Sequence, residues 1–405
     1  MKSVAVIGGG PAGIMAASMA AQNGHSVKLF EKNEKIGKKL YITGKGRCNI
    51  TNDCDTEDFF LNIPRNPKFL YSALYGFTNA DIVSIINSMG VPTKVERGKR
   101  VFPVSDKSSD VIKALSRYLD RSGAELCLNS NVKSIKKKQD GFELNVNGGV
   151  QEFDAVILCT GGASYPTTGS NGAGYAFASE MGHTVTDIRS SLIPLATVEQ
   201  WPAELTGLSL KNVTLRAYNK KGKQVYEELG EMLFTHFGVS GPLVLSASSR
   251  IADDPTGAVL TLDMKPGLTH EELDRRMLRD FEKNIRRQLI NSLSELLPSR
   301  MIPIVVELSG VPGDTPVNSV TRGMREALVS TLKCIKLTVD QALPVEEAII
   351  TRGGIAVKEI NASTMESKLV PGLYFAGEVI DVDGYTGGFN LQIAYSTGAL
   401  AGRSV

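Results

Sequence analysis

The sequence has little cysteine, histidine or tryptophan: its 405 residues include five cysteines, four histidines and one tryptophan. The cysteines are odd in number and scattered, which excludes the disulfide framework of a small secreted domain. No cysteines and histidines stand at the spacing of a zinc site, so we predict no metal. The residues concerned are Cys48, Cys54, Cys127, Cys159, Cys334, His25, His183, His236 and His270.

Long apolar runs and a strong charge imbalance are also missing. No run approaches the roughly 18 residues that a membrane-spanning helix needs, and the formal net charge is only +2. Residues 3–7 already have the pattern of a strand, so we predict no signal peptide. We therefore expect a cytoplasmic protein with no membrane partner.

The N-terminus has the pattern of a dinucleotide-binding turn. A short apolar strand, residues 4–7, precedes Gly8-Gly9-Gly10-Pro11-Ala12-Gly13 and an apolar helix. In such a turn Gly8 permits the sharp bend, Gly10 lets a pyrophosphate approach the backbone, and Gly13 lets the helix pack on the strand. The phosphates then lie at the helix N-terminus, where N–H groups and the helix dipole favour negative charge.

A second strand and a carboxylate complete this unit. The strand, residues 26–30, ends at Glu31, whose spacing from the glycines is close to that expected of a carboxylate on the adenosine ribose. The alternative is a tight turn that binds no ligand. Strand, glycines, helix, strand and acid occur in the required order, which favours the dinucleotide.

The loop after the second strand favours FAD over NAD. Both cofactors share the ADP half, so the first motif alone does not separate them. Residues 38–52 (KKLYITGKGRCNITN) supply Gly44 and Gly46 for close backbone approach, and Lys45 and Arg47 as cations. Such a loop can follow the pyrophosphate towards a flavin ring. The alternative is a basic surface loop.

The C-terminal segment returns to the same predicted site. A predicted strand, residues 372–376, precedes Gly377, Glu378 and Asp381, and the run 383–390 (DGYTGGFN) opens a helix. A carboxylate after a strand can hold ribitol hydroxyls. A Gly-Gly turn at a helix N-terminus can place N–H groups at the flavin pyrimidine edge, where the dipole stabilises negative charge on the reduced ring. The alternative is a glycine-rich turn that only closes the fold.

A separate nicotinamide-binding domain is not predicted. Gly161 and Gly162 follow an apolar strand, residues 155–159, but no matching helix and acid come after them. NAD(P)H would therefore bind transiently over the flavin as the electron donor.

Taken together, these motifs resemble those of the BaiN/YhiN-type flavoproteins, which are described as NAD(P)/FAD-dependent oxidoreductases or aminoacetone oxidase-family FAD-binding enzymes. The resemblance extends over essentially the whole chain. Lys45 stands where glycine is common in this family. The segments that carry the resemblance are residues 4–17, 43–52, 100–112, 159–183, 230–242 and 351–394.

The resemblance implies an α/β fold, with a Rossmann-type FAD-binding domain built from both chain ends and an inserted β-barrel-like domain that carries a small helical subdomain. The length suits two or three domains. We predict an FAD-binding domain at 1–189 and 346–405, a β-rich insert at 190–267 and 302–345, and a helical subdomain at 268–301.

The predicted cofactor-binding residues are glycines, carboxylates, cations and their neighbours in these motifs. They are Gly8, Gly10, Pro11, Ala12, Gly13, Glu31, Lys32, Lys39, Gly44, Gly46, Arg47, Cys48, Asn49, Val132, Thr160, Gly161, Gly162, Gly377, Glu378, Asp381, Gly387, Gly388, Phe389, Asn390 and Leu391.

The activities associated with the family differ in substrate. They are reduction of conjugated carbon–carbon bonds in steroid-like enones, reduction of uridine to dihydrouridine in ribosomal RNA, and amine oxidation by oxygen. We expect an NAD(P)H-dependent reductase of an activated C=C bond, in ribosomal RNA or in a small molecule. The alternatives are an aminoacetone-type amine oxidase and a non-catalytic FAD-stabilised binding protein.

Reduction of a C=C bond needs a proton donor besides the hydride. His236 is the first candidate, because it lies in a turn-rich segment, residues 235–242. Tyr165 and Tyr385 are further candidates in glycine-rich turns. The alternative roles are a structural hydrogen bond for the histidine and packing or a bond to FAD for the tyrosines.

Other residues support weaker hypotheses. Cys48 and Cys54 are more widely spaced than the redox pair of a disulfide reductase. Arg97, Lys99 and Arg100 are candidates for an anionic substrate or a phosphate, with a solvated loop as the default.

A basic segment suggests a second hypothesis about RNA. Residues 269–297 have a helical pattern, in which four cations share one face and acidic residues are interleaved. That face is a candidate for RNA phosphates, and an ion-paired solvent face is the alternative. The four cations are Arg276, Arg279, Lys283 and Arg287.

Overall fold

The computed structural model describes residues 1–344 and 347–405, and of Lys45 only the backbone. The chain forms two compact units, Met1–Ser191 with Pro344–Val405 and Leu192–Leu343. The predicted fold class is confirmed: a Rossmann-type α/β unit takes both chain ends, and the segment between them contains a closed β-barrel. The predicted boundary between residues 345 and 346 lies outside the described residues.

The first unit is organised around a five-stranded parallel sheet in the order β19-β10-β1-β2-β6. Val4, Ala5 and Val6 at its centre are fully buried, as expected for a parallel strand that is covered on both faces. The strands are β1 Ser3–Ile7, β2 Ser26–Phe30, β6 Glu125–Cys127, β10 Ala155–Leu158 and β19 Leu373–Phe375.

Three small antiparallel sheets accompany the parallel one. Their strands are β3 Thr51–Asn52, β4 Thr93–Glu96 and β5 Arg100–Pro103; β7 Val132–Lys138, β8 Gly141–Val146 and β9 Gly149–Phe153; and β11 Arg189–Ser191 with β18 Ile350–Arg352.

The helices of the first unit are α1 Pro11–Gln22, α2 Lys38–Ile42, α3 Thr56–Leu61, α4 Tyr71–Gly76, α5 Asn79–Ser88, α6 Ser108–Ser122, α7 Ala173–Glu180 and α13 Phe389–Ser404. Among the described residues no single helix is long and apolar enough to cross a membrane. One bent pair, Pro67–Gly76 with Asn79–Ser88, passes that test by length and composition when taken together.

The two chain ends meet where α13 packs against α1. A Cβ atom built on Gly398 would lie 2.2 Å from the Ala12 carbonyl oxygen, and one on Gly402 would lie 2.3 Å from that of Ala16. Only hydrogen fits at these two positions, so the helices touch backbone to backbone. The C-terminal helix therefore supports the helix that begins at the predicted phosphate site.

The second unit is a closed six-stranded antiparallel barrel in the order β12-β15-β14-β13-β16-β17. Closure leaves no unpaired strand edge. Phe234, Leu215, Leu260 and Leu337 are fully buried in its core. The strands are β12 Leu195–Thr197, β13 Ser209–Tyr218, β14 Gln224–Thr235, β15 Gly238–Ser240, β16 Val259–Asp263 and β17 Ile335–Ala342.

The helices of the second unit differ in part from the prediction. Residues 269–297 do not form one helix, because α10 ends at Lys283 and turns follow it. Residues 302–344, assigned to the β-rich insert, contain α11 and α12 before strand β17, and α12 lies within residues 315–333, where the sequence pattern predicts a helix. The helices are α8 Trp201–Glu204, α9 Pro242–Ile251, α10 His270–Lys283, α11 Met301–Ser309 and α12 Arg322–Lys333.

Candidate functional site

The three glycines of the N-terminal turn meet three different spatial demands. A Cβ on Gly8, whose φ is +108°, would lie 2.4 Å from the Cys159 carbonyl oxygen, and one on Gly13 would lie 1.8 Å from the Gly8 carbonyl oxygen. A Cβ on Gly10 would meet no atom within 4 Å. Gly8 and Gly13 therefore serve the packing of β1, β10 and α1, whereas Gly10 leaves open space at the α1 N-terminus. That space fits a pyrophosphate.

Glu31 is held at the base of the same turn. Its carboxylate accepts hydrogen bonds from the backbone N–H of Gly9 at 2.7 Å and of Asn33 at 2.8 Å, and the Asn33 side chain also donates to it. Glu31 is 8% exposed. A carboxylate fixed by backbone donors at the end of β2 suits a ribose diol, and this role remains a prediction.

Lys32 lies beside the next predicted loop. Its ammonium donates to the Asn171 side chain at 3.1 Å, and burial lowers its pKa. The Asn33 side chain donates to the Thr168 carbonyl at 3.1 Å. These contacts join the end of β2 to the segment that follows β10.

Lys39 and Glu378, both predicted from separate motifs, lie together. The Lys39 ammonium is 2.8 Å from the Glu378 carboxylate and 2.6 Å from the Ser164 hydroxyl. Glu378 also accepts from the Thr351 backbone N–H at 2.8 Å. Both charged side chains keep about a fifth to a quarter of their surface exposed. Their polar atoms can therefore serve a ligand that lies across them.

Thr351 and the glycines after β10 shape the other side of this cluster. The Thr351 hydroxyl accepts from the N–H groups of Ala163 at 2.8 Å and Ser164 at 3.1 Å. A Cβ on Gly162 would lie 2.4 Å from that hydroxyl, and Gly161 has a φ of +73°. Thr351 was not predicted, since a lone threonine carries no sequence signal of its own.

Two buried polar atoms of the predicted set have no hydrogen-bond partner within the described chain. They are Oδ1 of Asn49 and Oγ1 of Thr160. Buried polar atoms are almost always satisfied, by protein, water or ligand. Their positions in two predicted cofactor segments are consistent with a polar ligand at this site.

In the loop 43–49 the glycines have the conformation expected of them, whereas Arg47 is engaged by neighbouring carboxylates. Gly44 and Gly46 have φ values of +57° and +84°, which favour glycine. The Arg47 guanidinium donates to Asp106 at 2.9 Å and to Glu96 at 3.2 Å, and stacks 4.1 Å from the centre of the Phe102 ring. Arg47 is therefore engaged with two carboxylates. The Lys45 side chain lies outside the described residues.

The cysteines do not form a redox pair in this structure. Cys48 and Cys54 are both free and buried. Burial raises the pKa of Cys48 to about 12 and that of Cys54 to about 11. Because the thiolate is the reactive form, neither thiol is set up for nucleophilic chemistry.

The C-terminal turn is fixed against the 38–52 loop. A Cβ on Gly388, whose φ is +102°, would lie 2.4 Å from the Thr51 carbonyl oxygen. The Asn52 side chain donates to the Gly387 carbonyl at 3.0 Å. The Asn390 side chain fixes the turn through two hydrogen bonds to the Gly384 backbone. It accepts from the Gly384 N–H at 2.8 Å and donates to the Gly384 carbonyl at 2.7 Å. The two motifs predicted to meet at the flavin thus meet in the fold.

Four further residues of the predicted cofactor-binding set make packing contacts within the first unit. Phe389 packs edge-on against Phe59 at 5.2 Å between ring centres. Leu391 packs partly buried on the core, and Val132 is buried at the start of β7. A Cβ on Gly377 would lie 2.8 Å from the Ala12 side chain.

Asp381 and Asp383 have different surroundings. Arg65, which was not predicted, makes a two-pronged ion pair with Asp381. Asp383 is 2% exposed, accepts from the Ser191 hydroxyl at 3.1 Å, and its other oxygen has no partner within the described chain. Burial raises the pKa of Asp383 to about 6, against the lowering effects of Ser191, Arg352 and Arg65.

The three candidate proton donors lie in different settings. Tyr385 is buried and its N–H donates to the Asn62 carbonyl at 2.9 Å. Tyr165 is half-buried with a φ of +54°, and burial raises its pKa. His236 is exposed on the turn between β14 and β15, edge-on to Phe237 at 4.9 Å. No group of potential metal ligands occurs within the described ranges.

The predicted basic helix face is corrected by the structure. Arg287 lies beyond the end of α10, so it does not belong to that face. Arg276 pairs with Asp280 at 3.1 Å, and Lys283 lies 3.5 Å from Glu295. Two of the four cations, Arg276 and Lys283, therefore lie in ion pairs within the unit.

Comparison with known proteins identifies relatives over the full length. The HI0933-like protein Rossmann domain family matches residues 2–404. A 3-dehydro-bile acid delta(4,6)-reductase of Clostridium scindens is 31% identical over 410 residues, covering 100% of this chain and 99% of the relative. A ribosomal RNA dihydrouridine synthase of Haemophilus influenzae is 32% identical over 406 residues, covering 99% and 97%.

A solved structure shares the fold. The 3-ketosteroid-delta4-(5alpha)-dehydrogenase from Rhodococcus jostii RHA1 aligns with a TM-score of 0.54 at 15% identity, covering 100% of this chain and 96% of the other. At that identity the likeness concerns architecture alone.

Proposed function

The chain belongs to the HI0933-like family of FAD-dependent Rossmann oxidoreductases, and we propose that it is an NAD(P)H-dependent reductase of an activated C=C bond. The uracil ring of ribosomal RNA is the proposed substrate, and a conjugated enone is the small-molecule counterpart. The activities of two full-length relatives support this, because making dihydrouridine and reducing a bile acid at delta(4,6) both saturate a C=C bond.

The observation that carries the proposal is the open α1 N-terminus at Gly10, in the same unit as the glycine turn that opens α13. Both helix N-termini direct N–H groups outward and favour negative charge. At α1 this serves a pyrophosphate, and at α13 it serves the electron-rich pyrimidine edge of a reduced flavin. Glu31 accepts from ribose hydroxyls, while Lys39 and Glu378 bind polar groups between these two ends.

FAD, when bound, supplies the hydride chemistry. The protein has to hold the acceptor, exclude water and deliver one proton to the carbon that does not receive hydride. His236 is the first proposed donor, with the Tyr165 and Tyr385 hydroxyls as the others. After donation the group regains its proton from solvent, so NAD(P)H and one proton saturate one C=C bond.

Anaerobic mixing of the FAD-loaded protein with NADH or NADPH tests the proposal. We expect the absorbance of the oxidised flavin to fall after mixing, and to recover when a uridine-containing ribosomal RNA fragment is added. Return with a dienone but not with RNA would restrict the substrate to small molecules. Bleaching by aminoacetone alone, followed by peroxide on aeration, would indicate the oxidase, and no bleaching by any donor would indicate a binding protein.

Mapping of dihydrouridine in ribosomal RNA gives the cellular counterpart. We expect one site to revert to uridine when the gene is deleted and to return when the gene is restored. A restoring copy with Gly10→Ala, which is expected to lose FAD, serves as the inactive control.

A further inference from the structure

The hairpin between β4 and β5 concentrates positive charge. Residues 97–100, hereafter the cationic hairpin, read Arg97-Gly98-Lys99-Arg100. Gly98 and Lys99 have φ values of +75° and +56°, so the turn is tight. The Lys99 side chain is 56% exposed. The turn thus carries three cations in four residues, and the Arg100 side chain is held within it by a hydrogen bond to the Arg97 carbonyl at 3.0 Å.

A single side chain, that of Asn52, links the cationic hairpin to the turn that opens α13. The Asn52 side chain donates to the carbonyls of both Gly98 and Gly387, each at 3.0 Å. The Asp53 N–H donates to the Lys99 carbonyl at 2.7 Å. Asn52 is also the strand partner of Arg100. The hairpin is therefore fixed beside the proposed pyrimidine edge of the flavin.

Lys99 of the hairpin lies in an exposed ion pair. Glu96 accepts from Arg47 at 3.2 Å and lies 3.5 Å from Lys94, so its charge is already shared. Asp58 lies 3.7 Å from Lys99, and both side chains are about half exposed. Exposed pairs of this kind contribute little and are readily exchanged for another anion.

We propose that the cationic hairpin binds a phosphate group of a molecule that reacts at the flavin. The inference rests on the proposed function for its location, because a ring that exchanges hydride with flavin N5 would lie over the flavin, next to the pyrimidine edge that the hairpin adjoins. The phosphate comes either from the RNA chain next to the target uridine or from the dinucleotide of NAD(P)H. Arginine and lysine are the side chains that bind phosphate in both.

Equilibrium binding to the oxidised, FAD-loaded protein tests this inference. The probes are a labelled oligouridylate and NADP⁺, which binds without reducing the flavin. For Arg97→Gln with Lys99→Gln we expect on the order of tenfold weaker binding of one probe at low salt. If that probe is the oligouridylate, the slope of log affinity against log salt should fall by about 0.7, which is the contribution of one phosphate contact on a single strand.

The control removes the same charge elsewhere in the first unit. Lys107→Gln with Lys113→Gln alters two exposed lysines, and we expect both affinities to stay within about twofold of the parent. Flavin absorbance and the melting temperature verify that each variant is folded and loaded.

The outcomes separate the two sources. Weaker RNA binding alone assigns the RNA phosphate, weaker NADP⁺ binding alone assigns the donor phosphate, and weakening of both assigns a shared site. Equal affinities of parent and hairpin variant, or a parent that binds neither probe, would overturn the inference. Absence of reduction of both uridine and a dienone, together with hairpin-dependent binding, would overturn the proposed function instead.

Discussion

Gly398 of the last helix packs on the backbone of Ala12 in the first helix, so closely that a Cβ at position 398 would lie 2.2 Å from the Ala12 carbonyl oxygen. Gly402 repeats the contact one turn later against Ala16. The two residues of each pair are 386 positions apart in the sequence. This backbone contact aligns α1, whose N-terminus is the proposed pyrophosphate site.

Gly398→Ala should therefore destabilise the first unit. Alanine gains roughly 1 kcal/mol over glycine inside a helix, but the added methyl meets backbone, which cannot move aside. We expect a net loss of about 1–3 kcal/mol in the free energy of unfolding of the FAD-free protein, measured by urea denaturation. Gly76→Ala is the control, since no atom lies within 4 Å of that Cβ, and a loss as large there would remove the packing argument.

Gly10→Ala and Gly13→Ala should separate cofactor binding from folding. A methyl at position 10 meets no protein atom, so the unfolding free energy of the FAD-free protein should change by less than about 0.5 kcal/mol. The methyl would occupy the space of the pyrophosphate, so FAD affinity should fall by at least about tenfold. Gly13→Ala should instead lower stability, because its methyl would meet the Gly8 carbonyl. Equilibrium FAD binding and denaturation curves measure both effects, and full FAD affinity in Gly10→Ala would exclude this site.

Glu31→Ala should weaken FAD retention, because the ribose would lose its carboxylate partner. The variant also leaves the N–H groups of Gly9 and Asn33 without their acceptor, at a cost of about 1–3 kcal/mol in stability. Glu31→Gln keeps one oxygen for the backbone and should separate the two effects. The measurement is flavin absorbance after extensive dialysis, and a Glu31→Ala protein as yellow as the parent would show that the assignment is wrong.

Asp383→Asn should change the pH dependence of stability. Burial raises the pKa of this carboxyl to about 6 from an ordinary 3.8, so the folded state holds the proton more tightly than the unfolded state. Its contribution is therefore fully present below about pH 4 and is lost as the pH rises through about 6. Relative to the parent, Asp383→Asn should gain about 2–3 kcal/mol between about pH 4 and about pH 8.

Urea denaturation of the FAD-free protein at both pH values measures this difference. Asp154→Asn is the control of opposite sign, because hydrogen bonds from Ser3 lower the pKa of that carboxyl. Its contribution is present at neutral pH and lost as the pH falls. A pH-independent difference between Asp383→Asn and the parent would contradict the prediction.

His236→Ala should slow the oxidative half-reaction with the acceptor, by about 10²–10⁴ if the imidazole is the general acid. FAD content and the rate of flavin reduction by NAD(P)H should stay as in the parent. Stopped-flow absorbance of the pre-reduced enzyme gives the acceptor rate. An unchanged rate would remove His236 from the mechanism, and Tyr165→Phe and Tyr385→Phe would then be measured in the same way.

Sequence patterns located the cofactor segments because each segment obeys a local rule. The strand, the glycine turn and the acid at Glu31 follow from backbone sterics and anion binding over about 30 residues. The same local rule does not predict Arg65 or Thr351 as site residues. An isolated arginine or threonine has no periodicity, and only the fold brings them to Asp381 and Glu378.

In the second unit the helical pattern of the sequence does not predict where the helix ends. Residues 269–297 have helical composition throughout, yet α10 ends at Lys283. The segment that follows it is tied to 313–317 by backbone hydrogen bonds, including Leu289 to Thr315 at 2.9 Å. Tertiary pairing therefore took precedence over helix propensity.

By itself the sequence determined the N-terminal dinucleotide turn and the glycine turn before the last helix, because each depends on contacts between near neighbours. The fold class followed from the resemblance of the sequence to a known family. The tertiary structure alone decided which residues meet across the chain: Lys39 with Glu378, Arg65 with Asp381, Asn52 with both Gly98 and Gly387, and Gly398 with Ala12. Such pairings depend on strand order and helix packing over hundreds of residues, for which a local pattern carries no information.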